Sequence, residues 1–595
     1  MNTQFDFRII NSARWAAYGD ALGFISELTD SKGLLRRLRH GGNLSGDEGP
    51  IPWADLPIDA WPLQRTVDWK RRVGGRQGAL ATLPAGTYSD DTQLRLATCR
   101  AMEPKQGFDL EVFTKVELPV WLSYSLGAGR ASKRAAANLA RGGQWLANSY
   151  SGWTEAGGNG VVIRVQPHAW EGARSGRSPY DIMLEVLKNG LSTHGHPRAL
   201  ASACVHADLL LQVLRRERNS VSLRDIHYAV EHASRVPELL EKDPELSRYT
   251  IPAWEEAASE AFSDSWHRVI KEMAQRVDQL AELFEASDGL EDEQKVDRYL
   301  TLLRSWGLFE DEQRGSGTGT LFAALALLFL FPGEPSKGIR VACGVINSDT
   351  DSIATVYGGI AGALLSTATE LPGPIQDDRY IVQEALRVAG AGGSPRFHYP
   401  DLLYWQPPQT QADVALVARG RKFVAGLGYV KSEGEIFEAV GGFNWQWLLL
   451  EFGQNVLVKQ RQNPKQLSPD LAAALLPAKD VDTMASRVAR LESGEVRGDE
   501  GIAERLRKAS ESRPLAYRQD PLIDVSGATR VERPRRQEEP IESAVQEARA
   551  SGMNPEIIGR LLLELSREVS IEAAVAFAGI ISREGRYGRP RRSSR

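Results

Sequence analysis

The longest apolar run of this chain, residues 321–331, is hydrophobic on every helical face and is stopped by Pro332-Gly333. A bilayer span needs about 20 such residues. The run therefore reads as a helix buried in a protein core rather than one that crosses a membrane. The sequence around it fits that requirement. Over residues 8–369 the texture is helical, with apolar positions at i, i+3 and i+4 in 93–102, 131–140, 179–191 and 199–215. Ala and Leu dominate, and β-branched alternation is scarce. Two polar stretches interrupt the pattern. Residues 41–86, rich in Gly, Pro and Trp, read as a large surface loop, and 239–314 read as charged, amphipathic outer helices.

After the Gly/Pro-rich joint at 389–395 the texture changes. Val414/Leu416/Ala418, 422–425, 435–438 and 456–459 read as short strands separated by glycines, with Trp445, Trp447 and Phe452 as a small aromatic core. The expected organisation is a mainly α domain over 1–390, a small β-containing appendage over 396–463, a polar linker over 464–540, and a helical segment with a basic tail over 541–595. At 595 residues, 42% hydrophobic and 25% charged, the chain is not a disordered, collagen-like or coiled-coil protein. Its 72 Lys+Arg against 77 Asp+Glu provide no global basic excess for nucleic acid and no solvating acidic tail. Cys99, Cys204 and Cys343 are far apart without a CxxC pair, and read as reduced core thiols. The N-terminus has no basic segment leading into an apolar one, so the expected location is the cytoplasm, with no membrane contact.

Two acidic clusters carry the chemistry. Ser89-Asp90-Asp91-Thr92 and Asp349-Thr350-Asp351-Ser352 each stand at the start of a helical run. Such residues cap free backbone N–H groups, and the positive end of the helix favours ionised carboxylates. A cap, however, needs one oxygen, whereas each cluster offers two carboxylates and a flanking hydroxyl. Brought together, these carboxylates would repel one another unless a hard divalent cation lay between them. Oxygen-only ligation suits Mg²⁺, Ca²⁺ or Mn²⁺ rather than zinc. Three weaker signals accompany them. Gly19-Asp20-Ala21-Leu22-Gly23, followed by Glu27, places glycines at i and i+4 of a helix, where they permit close packing. Gly157-Gly158-Asn159-Gly160 is either a turn or a loop whose N–H groups meet a phosphate. His194 and His196, without a third ligand nearby, read as polar contacts in a cleft.

Taken in this order, the five elements resemble the ADP-ribosylglycohydrolases: GDxxG at 19–23, hydroxyl-DDT at 89–92, GNGxxxR at 158–164, TH at 193–194 and DxD[ST] at 349–352. The resemblance covers residues 8–370. It implies an all-α fold and a binuclear Mg²⁺ or Mn²⁺ centre, with Ser89, Asp90, Asp91, Asp349, Asp351 and Ser352 as ligands. By the same resemblance Glu27 aligns with an acidic residue on a mobile flap over the metals, and Glu27, Asp90 and Asp351 are the catalytic candidates. Gly158, Asn159, Gly160 and His194 align with elements that hold ADP-ribose. Ser89 stands where Thr is commoner, and Asn347-Ser348 where a pair of glycines is usual.

The implied activity is metal-dependent hydrolysis of the bond between ADP-ribose and an acceptor: a protein, a small molecule or a nucleic acid. The C-terminal region is the expected contact for a protein partner. Two other readings are an inactive ADP-ribose-binding protein on the same fold and another Mg²⁺-dependent, nucleoside-type hydrolase. No Walker A loop, HExxH or Ser–His–Asp arrangement competes for the chemistry.

Overall fold

The computed structural model describes residues 3–40, 65–75, 78–146, 150–392, 396–477, 538–551 and 554–568, with Phe577 and Ile581. The chain divides into two compact units, Met1–Gly498 and Asp499–Arg595. Among the described residues of the first unit, the helices of ten residues or more are α1 (Thr3–Gly23), α2 (Ser31–His40), α3 (Asp90–Arg100), α4 (Arg130–Ala140), α5 (Gln166–Ser175), α6 (Pro179–Leu191), α7 (Pro197–Arg215), α8 (Leu223–Ser234), α9 (Phe262–Ser287), α10 (Asp292–Ser305), α11 (Gly317–Leu330), α12 (Pro335–Gly344), α13 (Thr350–Ala363) and α14 (Asp378–Val388). The fold is mainly α, as the periodicity requires. No described helix is long and apolar enough to cross a membrane.

The apolar run lies in α11, where every residue except Phe329 is buried. The long helix α9 shows the opposite pattern. It buries Trp266, Val269, Met273, Val277, Leu280 and Leu283 along one stripe and turns its charged face outward. Cys99, Cys204 and Cys343 are free and buried.

Helices α1 and α13 cross with their backbones almost touching. A Cβ added to Gly19 would lie 2.5 Å from the Ala354 carbonyl oxygen, and one on Gly23 would lie 2.6 Å from Asp351 Cα. The relation is reciprocal: a Cβ on Gly358 or Gly362 would lie 2.4 Å from Trp15 O or 2.3 Å from Asn11 O. Glycine's cost inside a helix, about 1 kcal/mol relative to Ala, is thus borne where no side chain fits. The spacing of Gly19 and Gly23 is packing, and the packing places Asp351 directly against the end of α1.

The loop expected over 41–86 is corrected in part. Residues 41–64 lie outside the described residues. Beyond them, β1 (Trp69–Val73) and β2 (Ala79–Leu83) form an antiparallel hairpin with Trp69 opposite Leu83. Trp69, Val73, Ala79, Ala81 and Leu83 are buried, a period-2 pattern disguised in β1 by exposed Lys70 and Arg72 and by half-buried Arg71 on the inward face between Trp69 and Val73.

A two-stranded pair, β3 (Met102–Glu103) and β4 (Gly107–Phe108), follows α3. After α14 the chain forms a six-stranded sheet: β5 (Ala415–Ala418), β6 (Arg421–Val424), β7 (Gly428–Glu438), β8 (Phe443–Leu450), β9 (Asn455–Arg461) and β10 (Gln466–Leu467). The order is β10-β5-β6-β7-β8-β9, antiparallel except for the parallel pair β10–β5. Strand β8 was missing from the sequence reading, which assigned its tryptophans to a core private to the appendage. Both instead face the hairpin: Trp447 Nε1 donates to Thr82 O at 3.0 Å, and Trp445 lies against Gly74.

The sheet shares the hydrophobic core of the helices. Arg100, at the end of α3, makes two bonds of 2.8 Å to Glu117 and one of 2.7 Å to Gln454, beneath the rings of Phe397 and Phe452. Asp377 accepts from Tyr88 at 2.6 Å and from Asn455 at 2.9 and 2.6 Å.

The start of the expected linker, 464–477, also packs on the sheet. Val417 N donates to Lys465 O at 3.1 Å and Gly426 N to Leu475 O at 2.8 Å. The remainder to residue 537 and the basic tail lie outside the described residues. In the second unit, helices Glu538–Ala550 and Pro555–Glu568 enclose a small core of Ala544, Val545, Ala548, Leu561, Leu565, Phe577 and Ile581.

Candidate metal centre

The start of α3 is held from outside its own sequence. Asp20 of α1 accepts from Ser89 N and from Thr92 N, both at 2.8 Å. Ser89 Oγ accepts from Asp91 N at 3.2 Å, and Asp90 N donates to Leu126 O at 2.7 Å. The first N–H groups of the helix are thereby satisfied without help from Asp90 or Asp91. Asp90 Oδ1 accepts from Ala128 N at 2.5 Å. Asp91 Oδ1 accepts from Ser352 Oγ at 3.3 Å, which joins the two clusters. Asp91 Oδ2 is buried and has no hydrogen-bond partner among the described residues.

At the start of α13, Asp349 occupies the N-cap position but makes no side-chain cap bond. Its Oδ2 accepts from Asn159 Nδ2 at 3.0 Å instead. Asp351 Oδ1 accepts from Ser352 N at 2.9 Å. Thr350 turns the other way, donating to Gly23 O at 2.9 Å. The usual glycine pair before this cluster is replaced without loss of the backbone path. Asn347 adopts φ +67°, a left-handed conformation that Asn tolerates better than most residues. Its N–H reaches Thr29 O at 3.1 Å.

Glu27, on the turn after α1, completes the group. Glu27, Asp349 and Asp351 each offer a carboxylate oxygen within 4.8 Å of the others, a spacing that could hold a metal ion. Among the described residues the ion pair at this cluster is Glu27 Oε2 with Arg71 Nη1, at 3.2 Å. Sequence reasoning missed Arg71 because it read the hairpin as loop. It also missed Asp20 as the cap of α3, since nothing in the spacing of 20 and 89 announces it.

The electrostatics follow from burial. Asp90 is pushed up to about 7, first by desolvation and then by Glu27 and Asp20. Asp91 and Asp351 are raised well above the carboxylate range by burial and by neighbouring carboxylates. Asp20 and Asp349 are raised too, again mainly by burial. Nearby cationic side chains are committed elsewhere. Arg164 donates to Asn189 at 2.8 and 2.9 Å, to Gly160 O at 2.8 Å and to Thr193 Oγ1 at 2.7 Å. Arg95 donates to Gln166 and Thr92, both at 3.1 Å. An all-oxygen donor set, an orphaned buried carboxylate oxygen and mutual repulsion together fit a hard divalent cation.

The glycine loop is pinned by a two-bond ladder. Asn159 N donates to Gly315 O and Gly317 N to Gly157 O, each at 2.9 Å. Asn159 N–H is therefore spent, and its side chain holds Thr320 at 2.9 Å as well as Asp349. The Asn159 N–H is thus not one that the loop could offer to a phosphate. His194 is buried under it: a Cβ on Gly160 would lie 3.0 Å from both His194 Cε1 and Ser132 Oγ. Burial and Arg164 push His194 down to about 3, so the ring is neutral, with Nδ1 2.8 Å from Thr193 Oγ1. His196 caps α7 instead, accepting from Arg198 N at 3.0 Å.

A family model described as ADP-ribosylglycohydrolase matches residues 13–386, which include all five motifs. Among solved structures, one described as an ADP-ribosylglycohydrolase-related protein complex is similar at 18% identity with a TM-score of 0.34, over 65% of this chain and 99% of that one. No curated protein matches the chain.

Proposed function

This chain belongs to the ADP-ribosylglycohydrolase family, and from that premise we propose that it hydrolyses the glycosidic bond between ADP-ribose and an acceptor, using two divalent cations, Mg²⁺ or Mn²⁺. Glycohydrolase chemistry follows from the family. The cations and the substrate are the proposal. Ser89, Asp90, Asp91, Asp349, Asp351 and Ser352 are the assigned ligands, and Glu27 stands beside them. The observation that carries the reading is Asp91 Oδ2, buried without a partner among the described residues where the two clusters meet.

Cations bound there supply Lewis acidity, which orients ribose hydroxyls and lowers the pKa of water. The remaining work belongs to the chain. Ribosyl-bond cleavage develops positive, oxocarbenium-like charge, and a cleft floored by carboxylates favours that charge. Glu27, half-buried at the rim, can take and return a proton, typically worth about 10²–10⁴ in rate. Asn159 fixes the orientation of Asp349. Gly158, Gly160 and neutral His194 form a close, uncharged wall against which ADP-ribose is held. The acceptor is a protein, a small molecule or a nucleic acid, and the expected setting is the cytoplasm.

The test uses the full chain with a panel of ADP-ribosylated acceptors, with and without Mg²⁺ or Mn²⁺, and measures released ADP-ribose. Metal-dependent release from at least one linkage is the expected result. Tight binding without release would make it an ADP-ribose-binding protein. Nucleoside hydrolysis that ADP-ribose does not inhibit would make it a nucleoside-type hydrolase.

A further inference from the structure

Glu27 sits on a turn that the fold takes trouble to hold. Leu28, the next residue, has φ +47°, a conformation costly for a branched side chain. It is kept there by Leu28 N donating to Ser348 O at 3.2 Å, so the turn is tied to the loop that leads into α13. Arg37 of α2 donates to Ile25 O at 2.6 Å and Glu27 O at 3.2 Å, fixing the backbone on the other side. What remains is the side chain. A carboxylate this close to Asp349 and Asp351 is repelled by both; Arg37 opposes the repulsion from the α2 side, and Arg71 does so in a direct ion pair with the Glu27 side chain. The Arg71 side chain is three-quarters buried, with the guanidinium 3.2 Å from Glu27 Oε2 and 4.4 Å from the centre of the Phe24 ring.

Arg71 is itself placed by the C-terminal sheet. It lies on β1, paired through Ala81 of β2, and β2 is clamped where Trp447 donates to Thr82 O at 3.0 Å. Trp445 lies under the hairpin turn, where a Cβ on Gly74 would be 2.8 Å from its ring. A contiguous path thus runs from the sheet through the hairpin to Glu27.

We propose that Arg71 is a positioning residue: it holds the Glu27 carboxylate at the edge of the acidic centre and balances its charge, on a hairpin the C-terminal sheet keeps in place. Arg71 then offsets the charge that Glu27 adds at the edge of the aspartates. This rests on the proposed function for the metals, but the pairing itself does not. A general mark of such a residue is that its charge becomes harmful when its partner is removed. Glu27→Gln alone leaves an uncompensated guanidinium facing the cation site, so metal binding weakens by more than the loss of one carboxylate. Glu27→Gln/Arg71→Gln removes that repulsion and recovers part of the affinity.

Two measurements on the full chain make the test. Calorimetry with Mn²⁺ alone compares wild type, E27Q and E27Q/R71Q. The double variant is expected to bind about fivefold to tenfold tighter than E27Q while turnover stays at the E27Q level. A double variant that binds no better than E27Q overturns the proposal. Melting curves in chelator then complete the cycle with R71Q. The R71Q loss is expected to be larger in the wild-type background than in E27Q. Equal losses mean that Arg71 only supports the hairpin, and they overturn the proposal too. If wild type takes up no Mn²⁺ but the melting cycle is coupled, the metal reading fails and the positioning role of Arg71 toward Glu27 stands.

Discussion

The starts of α3 and α13 look alike in sequence and are built differently. At α3 the capping is contracted out: Asp20 takes Ser89 N and Thr92 N, and Ser89 Oγ takes Asp91 N. At α13 the helix partly caps itself, because Asp351 Oδ1 accepts from Ser352 N, while Asp349 turns to Asn159. Of the four aspartates in the two clusters, only Asp351 lends an oxygen to its own helix terminus. The rest, buried Asp90 and Asp91 and half-buried Asp349, have no capping duty. Plain capping accounts for oxygens that cap, and Asp90, Asp91 and Asp349 do not.

The largest effect should therefore come from replacing those carboxylates. Asp91→Asn and Asp351→Asn keep side-chain volume, and Asn is as good a cap as Asp. If either aspartate were a cap alone, Mn²⁺ affinity and turnover would hardly change. The expected outcome is metal binding weakened by orders of magnitude in both variants, with turnover falling alongside. The metal-free protein should melt slightly higher, since like-charge repulsion is relieved. Calorimetry, ADP-ribose release and a melting curve in chelator are the three readouts. Unchanged metal binding in both variants would return the clusters to the status of caps.

A smaller effect separates the frame from the ligands. Gly23→Ala pushes a Cβ to 2.6 Å from the backbone of Asp351, so α1 and α13 must part. Overpacking of this kind costs about 1–3 kcal/mol. Gly559→Ala is the internal control: this glycine also lies within a helix, but nothing stands within 4 Å of its Cβ position. There the substitution should be neutral or gain up to about 1 kcal/mol. Because α3 is tied to Asp20, Gly23→Ala should also loosen Mn²⁺ binding, and Gly559→Ala should not. Equal melting temperatures for the two variants would mean that the α1–α13 contact is not tight.

What was legible in the sequence is what local chemistry repeats. Helix periodicity and the all-round apolar face of α11 predicted the fold class, and the family resemblance implied that the two acidic clusters share one centre. The GDxxG spacing predicted close packing, and the Cβ clashes at Gly19 and Gly23 bear that out. What stayed hidden depends on distant partners. Asp20 looked like a lone acid in a glycine motif, because its partners lie about seventy residues away. Arg71 was lost because three consecutive charged residues, Lys70, Arg71 and Arg72, masked the alternation of buried Trp69 and Val73. Strand β8 was lost because Trp445 and Trp447, two apart, were read as a small private core rather than as one face of a strand meeting another hairpin. Neither a positive-φ Asn347 nor the spent N–H of Asn159 leaves a mark that spacing alone could reveal.

The smallest expected effect is one of pH, and it sharpens the contrast between capped and uncapped carboxylates. Asp90 has a folded-state pKa of about 7, raised from 3.8 chiefly by burial and then by Glu27 and Asp20. A raised value means that the folded protein binds this proton more tightly than the unfolded chain does. Its contribution to stability is then fully present below about pH 4 and is lost as pH rises through about 7. Asp91, Asp349 and Asp351 are raised for the same first reason, and each adds to the same slope. In chelator, the melting temperature should therefore fall by a few degrees between pH 5 and pH 8. A cation removes the reason for holding protons, so Mn²⁺ should stabilise strongly at pH 8 and weakly at pH 5, where protons compete for the same oxygens. If aspartates served as ordinary caps, hydrogen bonding would lower their pKa values, their contribution would be complete by about pH 5, and the chelated protein's stability would stay flat over this range. A melting temperature in chelator that does not fall from pH 5 to pH 8, or a Mn²⁺ effect equal at both pH values, would count against a charge-crowded, cation-ready centre.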